Sequence, residues 1–244
     1  MAALSLNSIA ASTQDTPDNK TAAQQTITIS THEIDGLIGT SSDARYNRLF
    51  EKVANELDVP LSILSIPGNR LERHFHQLKT GCIFPEYRAP ANKTFLRSVA
   101  FNQATVHLVT LKAFAPNLHV DIDNLTIGLV NGYNYDFLDL SKAKSVAGVE
   151  TEAQNLQLLL FNRVEAIVSY FPDLPLAASD AQMEQISYDP NHALFVYAEK
   201  IACFDTPLNR LFLVKFKDVV ALMAANGDLA EMLAPYYYGL PDTN

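Results

Sequence analysis

Segments with β-strand character and segments with helical periodicity alternate along the chain, and this alternation constrains its fold more than any other feature. Short runs rich in β-branched and apolar residues predict the strands, and apolar residues spaced three or four apart predict the helices. The predicted strands are 26–31, 61–66, 106–114, 125–130, 164–170 and 193–198. The predicted helices begin near Asp43, after Gly68, at Ala153 and at Thr206-Pro207. Repeated strand–helix units are typical of α/β proteins with mostly parallel sheets.

Charge is distributed unevenly along the chain. Residues 120–195 hold 11 acidic and 3 basic side chains, whereas residues 43–119 hold 6 acidic and 10 basic side chains. This asymmetry favours two lobes, although an acidic solvated surface on one half would explain it equally well. We expect 26–111 and 196–244 to form lobe 1 and 112–195 to form lobe 2. The net charge of −9 argues against a nucleic-acid partner.

The N-terminal residues 1–25 differ in character from the rest of the chain. Small residues at Ala10 to Ser12 resemble the end of a signal peptide, and a polar stretch carrying Pro17 follows. We therefore expect a signal-peptide remnant with a flexible lead-in, and a periplasmic location. An ordinary disordered cytosolic tail is the alternative. No apolar run approaches the ~20 residues that a membrane-spanning helix needs.

Cys82 and Cys203 are the two cysteines of the chain. They could form one disulfide in an oxidising compartment, but a single pair does not establish export. Free cysteine is among the residue types most often buried in protein cores. We therefore expect two reduced, largely buried thiols.

Several short segments occur in the order found in one family. They are Pro67-Gly68-Asn69-Arg70 with the closing Gly81, Thr94-Phe95-Leu96-Arg97, the strand from Asn124 to Gly132, and Asn162-Arg163-Val164-Glu165-Ala166. Together they resemble the bacterial periplasmic solute-binding proteins of the amino-acid-binding type, over roughly residues 26 to 235. The resemblance implies a two-lobed type II periplasmic-binding-protein fold, in which two crossings join the lobes and the ligand cleft lies between them.

The resemblance also implies a function. Such a protein is a non-enzymatic receptor that closes around a small solute and delivers it to an ABC-type membrane permease. We expect it to act as a monomer without cofactor or metal. An extracytoplasmic sensor or accessory protein of the same fold is an alternative. An enzyme on this scaffold is a further one, and Glu86 and Cys82 are its candidate residues.

The binding residues expected from the resemblance lie on both lobes. Arg97 matches the family arginine whose planar guanidinium donates two hydrogen bonds to a ligand carboxylate. Without the family, Arg97 would be interpreted as a surface arginine paired with Glu86. Gly132, Tyr133 and Asn134 would begin a helix whose free backbone N–H groups favour an anion. If the resemblance is set aside, Asn131-Gly132 is simply a common turn dipeptide.

Tyr170 departs from the family pattern. It occupies the position where the second lobe usually supplies an acidic side chain to an α-ammonium group. A neutral phenol cannot compensate a desolvated ammonium as a carboxylate does. Asp173 is the next acidic residue, but Pro172 separates it from the strand. We therefore expect a small anionic solute, a carboxylate that need not be an α-amino acid, with Tyr170 as an aromatic wall.

Overall fold

The computed structural model describes residues 25–89, 94–117 and 122–241. The predicted signal-peptide remnant, apart from Gln25, lies outside these residues. Within them, we find no helix with the length and apolar character required to cross a membrane.

The strands and helices follow the predicted alternation. The strands are β1 (Ile27–Thr31), β2 (Leu61–Ser65), β3 (Cys82–Ile83), β4 (Leu96–Arg97), β5 (Asn102–Leu111), β6 (Thr126–Val130), β7 (Ser145–Val149), β8 (Ala166–Phe171), β9 (Ile186–Ser187), β10 (Phe195–Glu199) and β11 (Ala202–Cys203). The α-helices are α1 (Arg45–Asn55), α2 (Gly68–Leu78), α3 (Glu152–Leu160), α4 (Asp173–Ala177), α5 (Asp180–Met183), α6 (Pro207–Asn226) and α7 (Asp228–Leu233).

The long predicted helix α6 illustrates how local signals set its ends. The Thr206 side chain accepts a hydrogen bond from the Asn209 N–H, and Pro207 occupies the first helical turn. Gly227 ends the helix in the left-handed conformation, at φ +89°. The predicted Asp43 cap of α1 is different, because that helix begins at Arg45 after Ala44 and has no side-chain cap.

The strands form two sheets. The first has the order β2-β1-β3-β11-β4, and the second has the order β10-β5-β8-β6-β7 with β9 paired to β5. In the first sheet, β1 is parallel to β2 and β3, whereas β11 is antiparallel to β3 and β4. In the second sheet, β6 is parallel to β7 and β8, whereas β5 is antiparallel to β8 and β10. Each sheet is therefore mixed, because strands flanking the two passages between sheets run against the parallel ones.

The chain passes between the sheets twice. It leaves the first sheet after β4 and enters the second at β5, then leaves the second at β10 and returns at β11. β5 and β10 thus belong to the second sheet along their whole length. The chain enters the second sheet at Asn102, before the predicted limit at 111/112, and leaves it after Glu199, beyond the predicted limit at 195/196. We propose that the lobe limits follow the sheets.

Helices and apolar side chains cover both sheets. The main core of the first lobe lies between its sheet and helices α1, α6 and α7, with Phe50, Phe101 and Phe216 at its centre. Helix α2 packs on the other face through Leu71 and Phe75. In the second lobe, α3 covers one face of the sheet, and the segment between β6 and β7 contributes aromatic side chains to the other.

The prediction that the cysteines are reduced was wrong, although both are buried as predicted. Cys82 on β3 and Cys203 on β11 are opposite each other in the antiparallel pairing, with Cα atoms 3.9 Å apart, and form a disulfide. The sequence did not indicate this, because the pairing of β3 with β11 brings together residues that are 121 positions apart. Cys82 is consequently no candidate for a catalytic nucleophile.

The predicted helix after Gly132 is also wrong, because residues 131–139 are turns and irregular backbone. Two side chains stabilise that non-helical path. The Asn134 Oδ1 atom accepts a hydrogen bond from the Asp136 N–H at 2.8 Å, and the Tyr135 hydroxyl accepts one from the Val130 N–H at 3.0 Å. Such local side-chain bonds to the backbone compete with helix formation.

Candidate functional site

Two adjoining cavities lie between the lobes. The smaller, of about 300 Å³, is lined by Pro85–Tyr87 of the first lobe and by Tyr170 and Phe195–Glu199 of the second. The larger, of about 630 Å³, is lined by residues that include Ser65–Gly68 and Glu150–Ala153. His32, Ile34 and Asp173 border both cavities. A solute in this cleft would therefore contact both lobes and the junction of the two cavities.

Asp173 is the acidic side chain at that junction. It begins α4 directly after β8 and is 8% exposed. The Tyr133 hydroxyl donates a hydrogen bond to its Oδ2 atom at 2.6 Å. Burial raises the pKa of Asp173 to about 6, since water no longer stabilises the charge. Among the described residues, no basic side chain forms an ion pair with it.

Two further buried carboxyl groups face the cleft. Glu152 borders the larger cavity and accepts hydrogen bonds from the Ser169 hydroxyl at 3.0 Å and the Tyr170 N–H at 3.2 Å. Glu199 borders the smaller cavity and accepts a hydrogen bond from the Tyr46 hydroxyl. Burial is the main cause that raises the pKa of each to about 8. At neutral pH both are mainly protonated, whereas Asp173 is mainly ionised.

Tyrosine rings form much of the cleft wall. Tyr170 and Tyr197 stack with ring centroids 5.6 Å apart, and Tyr87 of the first lobe lies 5.1 Å from Tyr197. Tyr133 meets Tyr170 edge to face at 4.8 Å. The hydroxyls of Tyr170 and Tyr197 donate to the Asn134 carbonyl, which directs both rings along the wall. Such aromatic faces attract both apolar groups and cations.

His32 lies at the end of β1 and borders both cavities. It is 9% exposed, and its Nε2 atom has no hydrogen-bond partner among the residues the structure describes. Burial, followed by the positive charge of Arg88, lowers the pKa of His32 to about 4. The neutral imidazole can therefore offer one uncommitted hydrogen bond to a solute.

Arg88 joins the lobes rather than lining a cavity. Its guanidinium donates hydrogen bonds to the carbonyl of Gly68 in the first lobe and to that of Gly132 in the second. Gly132 has φ +89°, and a Cβ atom there would lie 3.1 Å from the Gly68 carbonyl carbon. The two backbones are thus in close contact, and Arg88 holds them together at one edge of the cleft.

The predicted site residues are only partly brought together. Tyr133 borders the larger cavity and Tyr170 the smaller. The Gly132 carbonyl accepts a hydrogen bond from Arg88, and the Asn134 carbonyl accepts hydrogen bonds from tyrosine hydroxyls. Arg97 lies on β4, is about half exposed, and places its Nε atom 3.0 Å from Glu86 Oε2. It borders neither cavity. The geometry corresponds to the surface ion pair that was the alternative for Arg97, and ligand contacts of these five residues stay a prediction.

Sequence reasoning missed His32 and Glu199, and it named Asp173 only as the next acidic residue after Tyr170. The sequence offered a weak signal for Asp173, since an acidic residue after a buried strand often begins a helix. No local pattern distinguishes His32 or Glu199 from surface residues. Their burial depends on strands β1 and β10, which belong to different sheets.

Comparison with known proteins identifies the fold. The chain matches no protein-family model, and no curated protein is detectably similar to it in sequence. Among solved structures, the substrate-binding protein of an amino acid ABC transporter is 12% identical with a TM-score of 0.67, covering 88% of this chain and 100% of that chain. The arginine-, lysine-, histidine-binding protein ArtJ from Geobacillus stearothermophilus is 12% identical with a TM-score of 0.68, covering 89% and 97%.

A third solved structure has a different described role. It is a histidine kinase sensor domain with similarity to periplasmic binding proteins, 11% identical, with a TM-score of 0.71 and coverage of 90% of this chain and 99% of that chain. At such identities the likeness shows the fold alone. The resemblance expected from the sequence is confirmed at that level.

Proposed function

Because the chain has the two-lobed type II periplasmic-binding-protein fold, we propose that it is an extracytoplasmic solute-binding protein. It binds a small organic solute between its lobes and presents that solute to a membrane permease. Similar folds in a transporter's substrate-binding protein and in ArtJ support this role. The likeness to a kinase sensor domain favours a membrane sensor as the second candidate partner. The Cys82–Cys203 disulfide supports a location outside the cytoplasm, since disulfides persist in oxidising compartments.

Asp173 carries our proposal for the chemistry of the solute. It is a buried carboxylate at the junction of both cavities, and only a tyrosine hydroxyl compensates its charge among the described side chains. An organic ammonium group would supply the missing positive charge, and the surrounding tyrosine faces would add cation–π attraction. The proposed solute is therefore a small molecule with an ammonium group, such as an amine or an amino acid.

This proposal replaces the anionic solute expected from the sequence. Arg97 pairs with Glu86 at 3.0 Å and borders neither cavity. No helix begins after Gly132 to supply free N–H groups. Neither of these two features therefore favours an anion in the cleft, and Asp173 offers the acidic partner that Tyr170 lacks.

A ligand panel tests the proposal. Thermal shift with amines, amino acids and simple carboxylates identifies the best ligand, and calorimetry then compares wild type with Asp173→Asn. We expect an ammonium compound as the best ligand, and we expect Asp173→Asn to weaken its binding by about 2–5 kcal/mol, as for buried charge pairs. Asp136→Asn is the matched control, because Asp136 is an exposed carboxylate of the same lobe outside both cavities. If the best ligand is an anion whose binding Arg97→Ala abolishes, the ammonium proposal fails.

A further inference from the structure

Helix α6 is apolar on two opposite sides. Its inner side packs Phe212, Phe216 and Met223 into the first-lobe core. On its outer side, Leu211, Val214 and Leu222 are 54%, 62% and 64% exposed. A surface helix ordinarily carries polar residues on its outer side. The outer residues of α6 instead form an apolar stripe, defined here as Pro207, Leu211, Val214, Ala221, Leu222 and Ala225.

Opposite charges interrupt this stripe halfway along the helix. Lys217 and Asp218 are both exposed, and neither has an ion-pair partner within residues 25–89, 94–117 and 122–241. One side of this pair carries the larger residues Leu211 and Val214. The other side carries Leu222, which is 64% exposed, with the small residues Ala221 and Ala225 beside it. The stripe is therefore apolar on both sides of the charged pair, and its charges complement those of a second copy that runs antiparallel to it.

We infer that the stripe on α6 is an interface between two copies of this chain. Two α6 helices pack antiparallel about a two-fold axis near the helix centre, so that Lys217 of each copy faces the partner's Asp218. Val214 then lies against the partner's Ala221, and Leu222 packs between the partner's Leu211 and Val214. A parallel arrangement would place like charges together, which is unfavourable. Such a contact is isologous, as in most homodimers.

The inferred dimer is independent of the solute chemistry proposed for the cleft. Every residue of the stripe belongs to α6, whereas neither cavity has a lining residue beyond Glu199. The dimer also differs from the monomer expected from the sequence. Both clefts of the dimer remain open to solute, because α6 packs on the core face of the first lobe and not on the cavity walls.

Sedimentation of the full chain tests the apolar half of the inference. We expect the wild-type mass to rise from monomer to dimer with concentration, and Leu222→Glu to raise the dissociation constant about 100-fold, because both copies lose an apolar contact. Phe161→Glu is the matched control, since Phe161 is 71% exposed but lies after α3 on the second lobe, and this variant should dimerise as wild type does. Circular dichroism confirms that each variant is folded.

Charge reversal tests the pairing of Lys217 with Asp218. Lys217→Asp and Asp218→Lys should each weaken the dimer, and the double variant should restore it, because the opposite charges then meet again. A wild type that stays monomeric at about 1 mM overturns the inference. So does a dimer that Leu222→Glu leaves intact, or a double variant that remains as weak as the single ones. Binding of a monomeric wild type to anionic vesicles, lost in Leu222→Glu, would overturn it in favour of a membrane surface.

Discussion

At the scale of single residues, two positions near the end of β8 have different roles. Tyr170 occupies the place where an acidic residue was expected, and its hydroxyl is committed to the Asn134 carbonyl. Asp173, three residues later, supplies the buried carboxylate at the junction of the cavities. The short helix α4 begins at Asp173, which turns the chain back toward the cleft directly after the strand. In the proposed function, Asp173 would supply the carboxylate that the family usually has at the position of Tyr170.

The raised pKa of Asp173 predicts how ligand binding depends on pH. Since its pKa is about 6, the carboxyl group is ionised at pH 8 and mostly protonated at pH 5. An ammonium ligand binds the ionised form, so its affinity should fall on acidification, by up to about tenfold per pH unit below pH 6. Calorimetry between pH 5 and 7, where Glu152 and Glu199 stay mainly protonated, measures this dependence with a ligand that is cationic throughout. In Asp173→Asn the decrease should disappear, and a wild-type affinity that is constant or rises toward pH 5 would contradict the prediction.

Two arginines show that a sequence motif does not by itself identify which arginine lies between the lobes. Arg97 matched a binding motif, yet it pairs with Glu86 and borders neither cavity. Arg88 matched no motif, yet its guanidinium spans the two lobes through the Gly68 and Gly132 carbonyls. The geometry of a guanidinium suits either task, because it offers several donors in a fixed plane. Only the position of each arginine relative to both lobes distinguishes the two roles.

At the scale of elements, the start of α2 and the end of β6 meet across the cleft. Gly132 follows β6 with φ +89°, and its position leaves no room for a side chain beside Gly68. Gly227, at the end of α6, has the same φ of +89°, but a Cβ atom added there would meet nothing within 4 Å, so the two glycines differ only in their surroundings. Comparing substitutions at Gly132 and Gly227 therefore distinguishes two contributions to the free energy of unfolding. One is the cost of a left-handed backbone conformation, and the other is the cost of steric contact between the lobes.

Alanine substitution at these glycines should therefore have unequal effects. Gly227→Ala should destabilise the protein by about 1–2 kcal/mol, the cost of a left-handed conformation for a residue with a Cβ atom. Gly132→Ala should cost about 1 kcal/mol more, because its Cβ would lie 3.1 Å from the Gly68 carbonyl carbon and the lobes must separate. Urea unfolding of both variants and wild type measures the difference. Equal losses would mean that the lobes accommodate the added methyl group without cost.

At the scale of the whole molecule, one disulfide links the two segments of the first lobe that flank the second lobe in sequence. Cys82 precedes the passage into the second sheet and Cys203 follows the return, so the disulfide links chain segments 121 residues apart. Its sulfur atoms are buried in the main core of the first lobe. The bond thus connects the two parts of the first lobe that the second lobe separates in sequence.

Reduction of this disulfide should destabilise the protein strongly. A cross-link that closes a loop of this length restricts the unfolded chain by about 4–5 kcal/mol in the chain-entropy account. We expect a lower urea midpoint for wild type in a reductant that opens the bond. The double variant Cys82→Ala with Cys203→Ala should have a low midpoint with or without reductant. An unchanged wild-type midpoint, with free thiols verified by mass spectrometry, would show that the bond contributes little.

The sequence by itself predicted the longer strands other than β7, helices α1, α2, α3 and α6, and the two-lobed fold. These features depend on local periodicity, on caps such as Thr206 and Gly227, and on the alternation of short elements. The family resemblance implied a cleft position for Tyr133 and Tyr170, and their contacts with a ligand stay a prediction.

Only the tertiary structure decided the sheet to which β5 and β10 belong, the Cys82–Cys203 bond, and the position of Arg88 between the lobes. The same holds for the burial of Asp173 between two cavities. Each of these depends on residues that are far apart in sequence and meet only when the sheets pair and the lobes meet. Periodicity and local motifs carry no information about such contacts, because they describe a residue's neighbours along the chain and not across it.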